Sequence, residues 1–201
     1  MINWISPPAI LSGQTVDLLP LNEAHFSVLE NLAKDKRIWE FYSYDCSDPN
    51  TFSAFFKTAF IERDKGSQLP FVVFHKQQNK IIGSTRFIDI QPKHKKLEIG
   101  TTWLHPDYWA TVVNLECKLL LLTFCFENLN AHRVQLKTDE LNVRSRKAIE
   151  KIGGQFEGIL RNDMLRDNNT KRNSAYYSFI DDEWEEKKIK LTAILNSFKN
   201  S

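Results

Sequence analysis

The sequence predicts an α/β protein of the α+β kind, a single domain with one central mixed, mainly antiparallel twisted sheet flanked by helices. Three observations predict it. Arg133–Asp139 alternates Val134, Leu136 and Thr138 on one side, the two-residue period of a strand. Residues 70–76 and 80–90 are two strand-like runs joined by Gln77-Gln78-Asn79, which reads as an antiparallel hairpin. The 201 residues carry 14 Phe and 5 Trp with no repeat, linker or low-complexity block, so one core suffices and the whole of 1–201 is expected to be one domain. Its body is expected over about 14–182, with a C-terminal helix over about 183–199.

Each element follows from local chemistry. Thr15-Val16-Asp17-Leu18-Leu19-Pro20-Leu21 reads as a first strand closed by proline, and Asn22 can cap a helix to about Ala33. Ile38-Trp39-Glu40-Phe41-Tyr42 suggests a short aromatic helix. Asp48-Pro49 then supplies a cap and a first-turn proline for a helix with Phe52, Phe55, Phe56, Ala59 and Phe60 on one broad face. After the hairpin, residues 96–103 form a further strand and Pro106-Asp107 turns the chain. A helix over 113–129 contains Leu119-Leu120-Leu121-Leu122, apolar all round, and is expected at the centre of the fold, with Asn130 as a left-handed cap. Asn142 opens a helix to Ile152 that Gly153-Gly154 ends. Residues 155–161 and 174–180 make a last hairpin with a polar tip at Asp167-Asn168-Asn169-Thr170, and Trp184, Leu191, Leu195 and Phe198 recur at helical spacing in the tail.

Composition narrows the function. A net charge of +2 with dispersed basic residues argues against a large nucleic-acid footprint, and Lys93-His94-Lys95-Lys96 reads as a solvated turn. Cys46, Cys117 and Cys125 are odd in number and lack metal-ligand spacing, so free buried thiols in a reducing cytoplasm are expected, with neither a disulfide framework nor a metal site. No run is apolar for the ~18 residues of a membrane span, and the start, with Trp4, Pro7 and Pro8, lacks the basic region of a signal peptide.

Three places carry chemistry. The turn Trp109-Ala110-Thr111-Val112-Val113-Asn114 leads from a strand into a helix, whose first N–H groups and dipole favour phosphate. Asn142 and Ser145, three residues apart at a helix start, share a face; capping alone or a role in a cleft would both explain them, and Arg144, Arg146 and Lys147 stand nearby as cations. Glu98, between Leu97 and Ile99, shares a strand face with Gly100, with Ile99 and Thr101 opposite. A carboxylate there either pairs with a neighbouring strand or works as a base with a raised pKa.

Together these blocks resemble the GNAT family of acetyl-CoA-dependent N-acetyltransferases, in the branch that acetylates ribosomal-protein N-termini (alanine or serine). The resemblance runs from Val16-Asp17-Leu18 to Tyr176-Tyr177-Ser178-Phe179-Ile180-Asp181 and is most specific in Glu98-Ile99-Gly100-Thr101-Thr102-Trp103-Leu104, in residues 131–139, in residues 142–150 and in Gly158-Ile159-Leu160-Arg161. It implies a GNAT fold and direct attack of an amine, on a peptide N-terminus or a small molecule, on the thioester of acetyl-CoA, without a metal. It implies that Leu104, His105 and the turn from Trp109 to Asn114 receive the pantetheine arm and pyrophosphate, with Asn142 on the arm and Arg144 and Lys147 near the phosphates. Ser145 stands where the branch places the acid for the leaving thiolate; Ile149 replaces the tyrosine many members use; Glu98 matches the base. The acceptor side is expected from residues 39–44, the Phe52-to-Phe60 helix, Phe87 and residues 164–170, in a monomer or homodimer.

The phosphate turn departs from the pattern. Ala110 and Val112 replace two glycines, removing conformational freedom and adding a branched side chain. A second expectation follows: a catalytically impaired binding module on the same fold.

Overall fold

Eight strands pair into one sheet in the computed structural model, which describes residues 4–5 and 10–199. Pro7 and Pro8 lie outside the described residues. The strands are β1 (Leu11–Ser12), β2 (Val16–Pro20), β3 (Leu69–His75), β4 (Lys80–Gln91), β5 (Lys96–Leu104), β6 (Arg133–Asp139), β7 (Gln155–Leu165) and β8 (Lys171–Ile180). Their order is β1-β2-β3-β4-β5-β6-β8-β7, and every pair is antiparallel except β5 with β6. The expected mixed, mainly antiparallel sheet with flanking helices is the one observed.

The helices are α1 (Phe26–Ala33), α2 (Pro49–Asp64), α3 (Val112–Thr123), α4 (Val143–Lys151) and α5 (Asp181–Lys199). Side-chain alternation splits the core between the two faces of the sheet. Val16, Leu18, Phe71 and Val73 belong to one apolar cluster with α3, α4 and α5, while Leu19 and Val72 belong to a second with α1 and α2. Asp48 Oδ2 accepts from the Thr51 N–H at 2.7 Å, the start chemistry expected for α2.

Several expectations change. β1 carries no periodic signal in its two residues, and β7 and β8 run past the 155–161 and 174–180 expected. The aromatic run after Ile38 is not helical: only Lys36–Ile38 forms a 3₁₀ turn, because the Trp39, Tyr42 and Tyr44 rings pack on one another instead. The central helix stops at Thr123 and continues as a π turn, Phe124–Asn128, before Asn130 closes it at φ 50°. The wider turn sends Phe124 onto Phe87 of β4, ring centroids 5.9 Å apart, and Phe126 onto Trp184 of α5 at 5.1 Å. Leu121 and Leu122 are fully buried, whereas Leu119 and Leu120 are only partly so. Trp184, Leu191 and Leu195 are buried as expected, but Phe198 is exposed and receives Lys151 over its ring.

Candidate active site

The parallel pair β5–β6 is joined only from Lys96↔Arg133 to Glu98↔Gln135. Beyond that point the strands no longer pair, and a cavity of about 400 Å³ is lined by both, by the starts of α3 and α4, and by the chain around Tyr42. A bulge shapes the β5 wall. Arg86 faces Gly100 and Ser84 faces Trp103, so β5 holds one extra residue, and Thr101 takes φ 51°. This corrects the simple alternation expected along β5, since Glu98, Gly100 and Thr101 all line the cavity.

Glu98 stands where β5 and β6 separate and is 3% exposed. Its Oε2 accepts from Gln135 Nε2 at 2.8 Å and lies 3.7 Å from Lys137 Nζ, both on β6. Burial raises its carboxyl above the ordinary range, against the opposing pull of Lys137 and Gln135. The neighbouring-strand pair and the raised base thus coexist. A Cβ on Gly100 would stand 3.1 Å from Glu98 Oε1 and 2.4 Å from Ile88 Cδ1, so glycine there leaves the carboxylate its space.

At the other end stand the two helix starts. Asn142 Oδ1 accepts from the Ser145 N–H at 3.0 Å, so Asn142 caps α4 while also lining the cavity. Ser145 lines it too, and Ile149 closes the wall one turn on. In the other turn Ala110 takes φ 58°, the left-handed conformation that favours glycine. Thr111 Oγ1 donates to the Tyr108 carbonyl at 2.8 Å and accepts from the Val113 N–H at 3.3 Å, capping α3. The Arg144 guanidinium lies 3.5 Å from the Trp109 ring centroid, bridging α4 to this turn, and Trp109 Nε1 donates to the Leu104 carbonyl at 3.0 Å.

Of the residues the sequence singles out, Glu98, Leu104, Trp109, Ala110, Asn114, Asn142, Arg144 and Ser145 line this one cavity. The others do not. His105 turns to the Asp107 amide at 3.4 Å and carboxylate at 3.3 Å. Thr111 caps α3, Val112 packs against the core, Val113 is buried in it, and Lys147 is exposed on α4. On the acceptor side Tyr42, Ser43, Tyr44 and Met164 line the cavity, whereas Phe52, Phe56 and Phe87 are buried in the core.

Besides Lys137 next to Glu98, two charged residues of the cavity were not foreseen. Lys118 is 6% exposed, one helical turn after Asn114, and its Nζ donates to Thr102 Oγ1 at 2.8 Å. Burial pushes its amine down to about 8. The available signal was a lone lysine within an apolar helix, on Asn114's face at a spacing of four. Arg172 of β8 is the second, and nothing near it in sequence marks it. The thiols are closed to chemistry: burial pushes Cys46 and Cys117 up to about 12 and Cys125 well above its usual value. No helix among the described residues is long and apolar enough to cross a membrane.

Residues 16–155 match the acetyltransferase (GNAT) domain family. The chain is 26% identical over 127 residues to YnaD of Bacillus subtilis (strain 168), named an uncharacterized N-acetyltransferase, covering 63% of this chain and 73% of that one. It is 30% identical over 109 residues to YdaF of the same organism, provisionally named a ribosomal N-acetyltransferase, covering 54% of this chain and 58% of YdaF. Among solved structures, a GCN5-related N-acetyltransferase from Brucella melitensis superposes with a TM-score of 0.84 at 26% identity, over 93% of this chain and 85% of that one. None of these supports the expectation of an impaired binding module.

Proposed function

Because the chain belongs to the GNAT acetyltransferase family, whose members transfer acetyl from acetyl-CoA, we propose that it acetylates a primary amine, of a peptide N-terminus or a small molecule, in the cavity between β5 and β6. The observation that carries this reading is the juxtaposition of a buried, proton-seeking Glu98 with an unpaired strand edge and two helix starts. The donor fits the residues present. Ala110 keeps the left-handed turn despite lacking glycine, the first turn of α3 presents N–H groups to phosphate, and the unpaired edge of β5 offers backbone partners to an amide-bearing arm. Asn142, Asn114, Leu104 and the Trp109–Arg144 bridge line the donor's path. His105, Thr111, Val112, Val113 and Lys147 act by shaping or flanking that path, since they lie outside the cavity lining.

Bound acetyl-CoA supplies a thioester carbonyl that an uncharged amine attacks directly, releasing the CoA thiolate. Glu98 takes a proton from the amine, a task its raised pKa suits. Ser145 Oγ–H supplies a proton to the departing sulfur and regains one from solvent, to which Glu98 gives up its own, so both groups end as they began.

Calorimetric titration with acetyl-CoA, followed by thiol release with a panel of amines and N-terminal peptides, tests the reading. Micromolar binding and acceptor-dependent thiol release are expected. Glu98→Gln should keep donor binding but lower turnover by about 10²-fold or more, the usual range for a general base. A folded protein that ignores millimolar acetyl-CoA would sink the proposal, and an unchanged rate in Glu98→Gln across pH would remove Glu98 as base.

A further inference from the structure

The acceptor end of the cavity holds a buried guanidinium that has an ion-pair neighbour but, among the described residues, no hydrogen-bond partner. Arg172 lines the cavity and is 8% exposed. Among the described residues its buried Nε has no hydrogen-bond partner, and its acidic neighbour Asp139 lies 3.7 Å away, beyond hydrogen-bond reach. Asp139 is already engaged: Oδ2 takes Arg166 Nη2 at 2.5 Å and Oδ1 takes the Leu141 N–H at 2.9 Å. Two guanidiniums therefore share one carboxylate, which leaves one net positive charge at the wall. A second buried guanidinium, Arg86, is 4% exposed, has no carboxylate partner among the described residues, donates from Nη1 to Gln68 Oε1 at 3.1 Å and stacks 4.0 Å from the Phe55 ring centroid. Both guanidiniums act on the Tyr42 and Tyr44 hydroxyls, so their fields converge on this end. Glu98 and Arg172 both line the cavity, which puts the proposed base and this guanidinium in one site.

A buried guanidinium left without hydrogen bonds is costly, and the cost is offset when an anion enters. We propose that the acceptor carries a carboxylate a few bonds from its amine, and that Arg172 receives this carboxylate while Glu98 faces the amine. The inference rests on the acetyltransferase reading and narrows its substrate class. The guanidinium charge that Asp139 leaves uncompensated suits a carboxylate in bidentate geometry, and Arg86 and Lys118 add to the positive field around it. Arg172 is thereby the residue that determines specificity, through a charge-assisted pair in a water-poor wall. The same chemistry could come from a free amino acid or from a chain beginning with an acidic residue.

The test compares calorimetric affinities for glutamate, glutamate diamide and a C-terminally amidated peptide beginning with Asp, with and without CoA. CoA binding is scored separately, so failure of the acetyltransferase reading shows there and leaves the carboxylate comparison intact. At least one carboxylate-bearing ligand should bind about tenfold or more tightly than the diamide, about 1.4 kcal/mol. Arg172→Met should abolish that preference and leave CoA affinity within about twofold, while Arg172→Lys should restore part of it. In turnover, Arg172→Met should raise KM for the carboxylate-bearing acceptor far more than it lowers kcat. Glutamate alone showing the preference assigns a free amino acid; the Asp peptide alone assigns an acidic N-terminus. Equal affinities, no binding of either carboxylate ligand, or a preference that persists in folded Arg172→Met overturns the proposal.

Discussion

Ala110 shows how a single backbone angle revises a reading made from residue types. The sequence places two hindrances in the phosphate turn, Ala110 and Val112. Only Ala110 occupies a conformation that favours glycine, at φ 58°; Val112 is the first residue of α3 and packs against the core. A non-glycine residue held in the left-handed region costs roughly 1–2 kcal/mol. Ala110→Gly should therefore stabilise the protein by about 1 kcal/mol without weakening acetyl-CoA, measured by urea denaturation and calorimetry. Val112→Gly should do the reverse, losing about 1 kcal/mol of helix propensity and packing. A neutral or destabilising Ala110→Gly would refute the strain argument. Glu98 was legible as a candidate because a carboxylate between two apolar strand residues is rare. Arg172 was not, because its meaning depends on Asp139 being claimed by Arg166, a relation across separate segments.

Helix α3 does two jobs, and its sequence announces only one. The apolar run predicts a buried helix, and Leu121 and Leu122 are indeed fully buried. It also buries an amine, Lys118, whose Nζ has Thr102 Oγ1 as hydrogen-bond partner, with Thr85 Oγ1 a further 2.7 Å on. Burial depresses its pKa from 10.5 to about 8. Below pH 8 the amine is charged in both folded and unfolded states, and the folded state bears the desolvation cost. Between about 8 and 10.5 the folded state sheds its proton while the unfolded state keeps it, so stability rises with pH there. Lys118→Met should then gain about 1–3 kcal/mol at pH 7, after loss of one hydrogen bond, and the gain should shrink as pH passes through that window. Urea melts of both proteins at pH 7 and pH 10 check it; a gain that stays constant with pH would assign the effect to packing instead.

At the scale of the whole molecule, distant segments are tied together by groups that sequence reading treats singly. Glu116, inside α3 and 3% exposed, accepts from the N–H groups of Gln14, Thr15 and Val16 at 3.0, 2.7 and 2.8 Å. It anchors the edge hairpin of the sheet to the central helix. Glu116→Ala would remove this carboxylate from three amides, of which only that of Val16 is buried and worth roughly 1–3 kcal/mol when left unsatisfied, so a loss of about 2 kcal/mol is expected in urea denaturation. A loss under about 1 kcal/mol would mean that the hairpin holds without the anchor. The sequence by itself determined the longer strands, though not β1 or the full length of β7 and β8, and most helix starts, because side-chain period, caps and turn residues are local properties. It also drew attention to Glu98, Asn142 and Ser145, which stand out against their immediate neighbours. Only the tertiary structure decided that β5 and β6 stop pairing after Glu98 and Gln135, that Thr101 bulges into the gap, and that Lys118 and Arg172 face the same cavity as Glu98. Those facts depend on register between strands 37 residues apart and on which charges find partners, and both are settled by packing across the sheet rather than by any stretch of chain read alone.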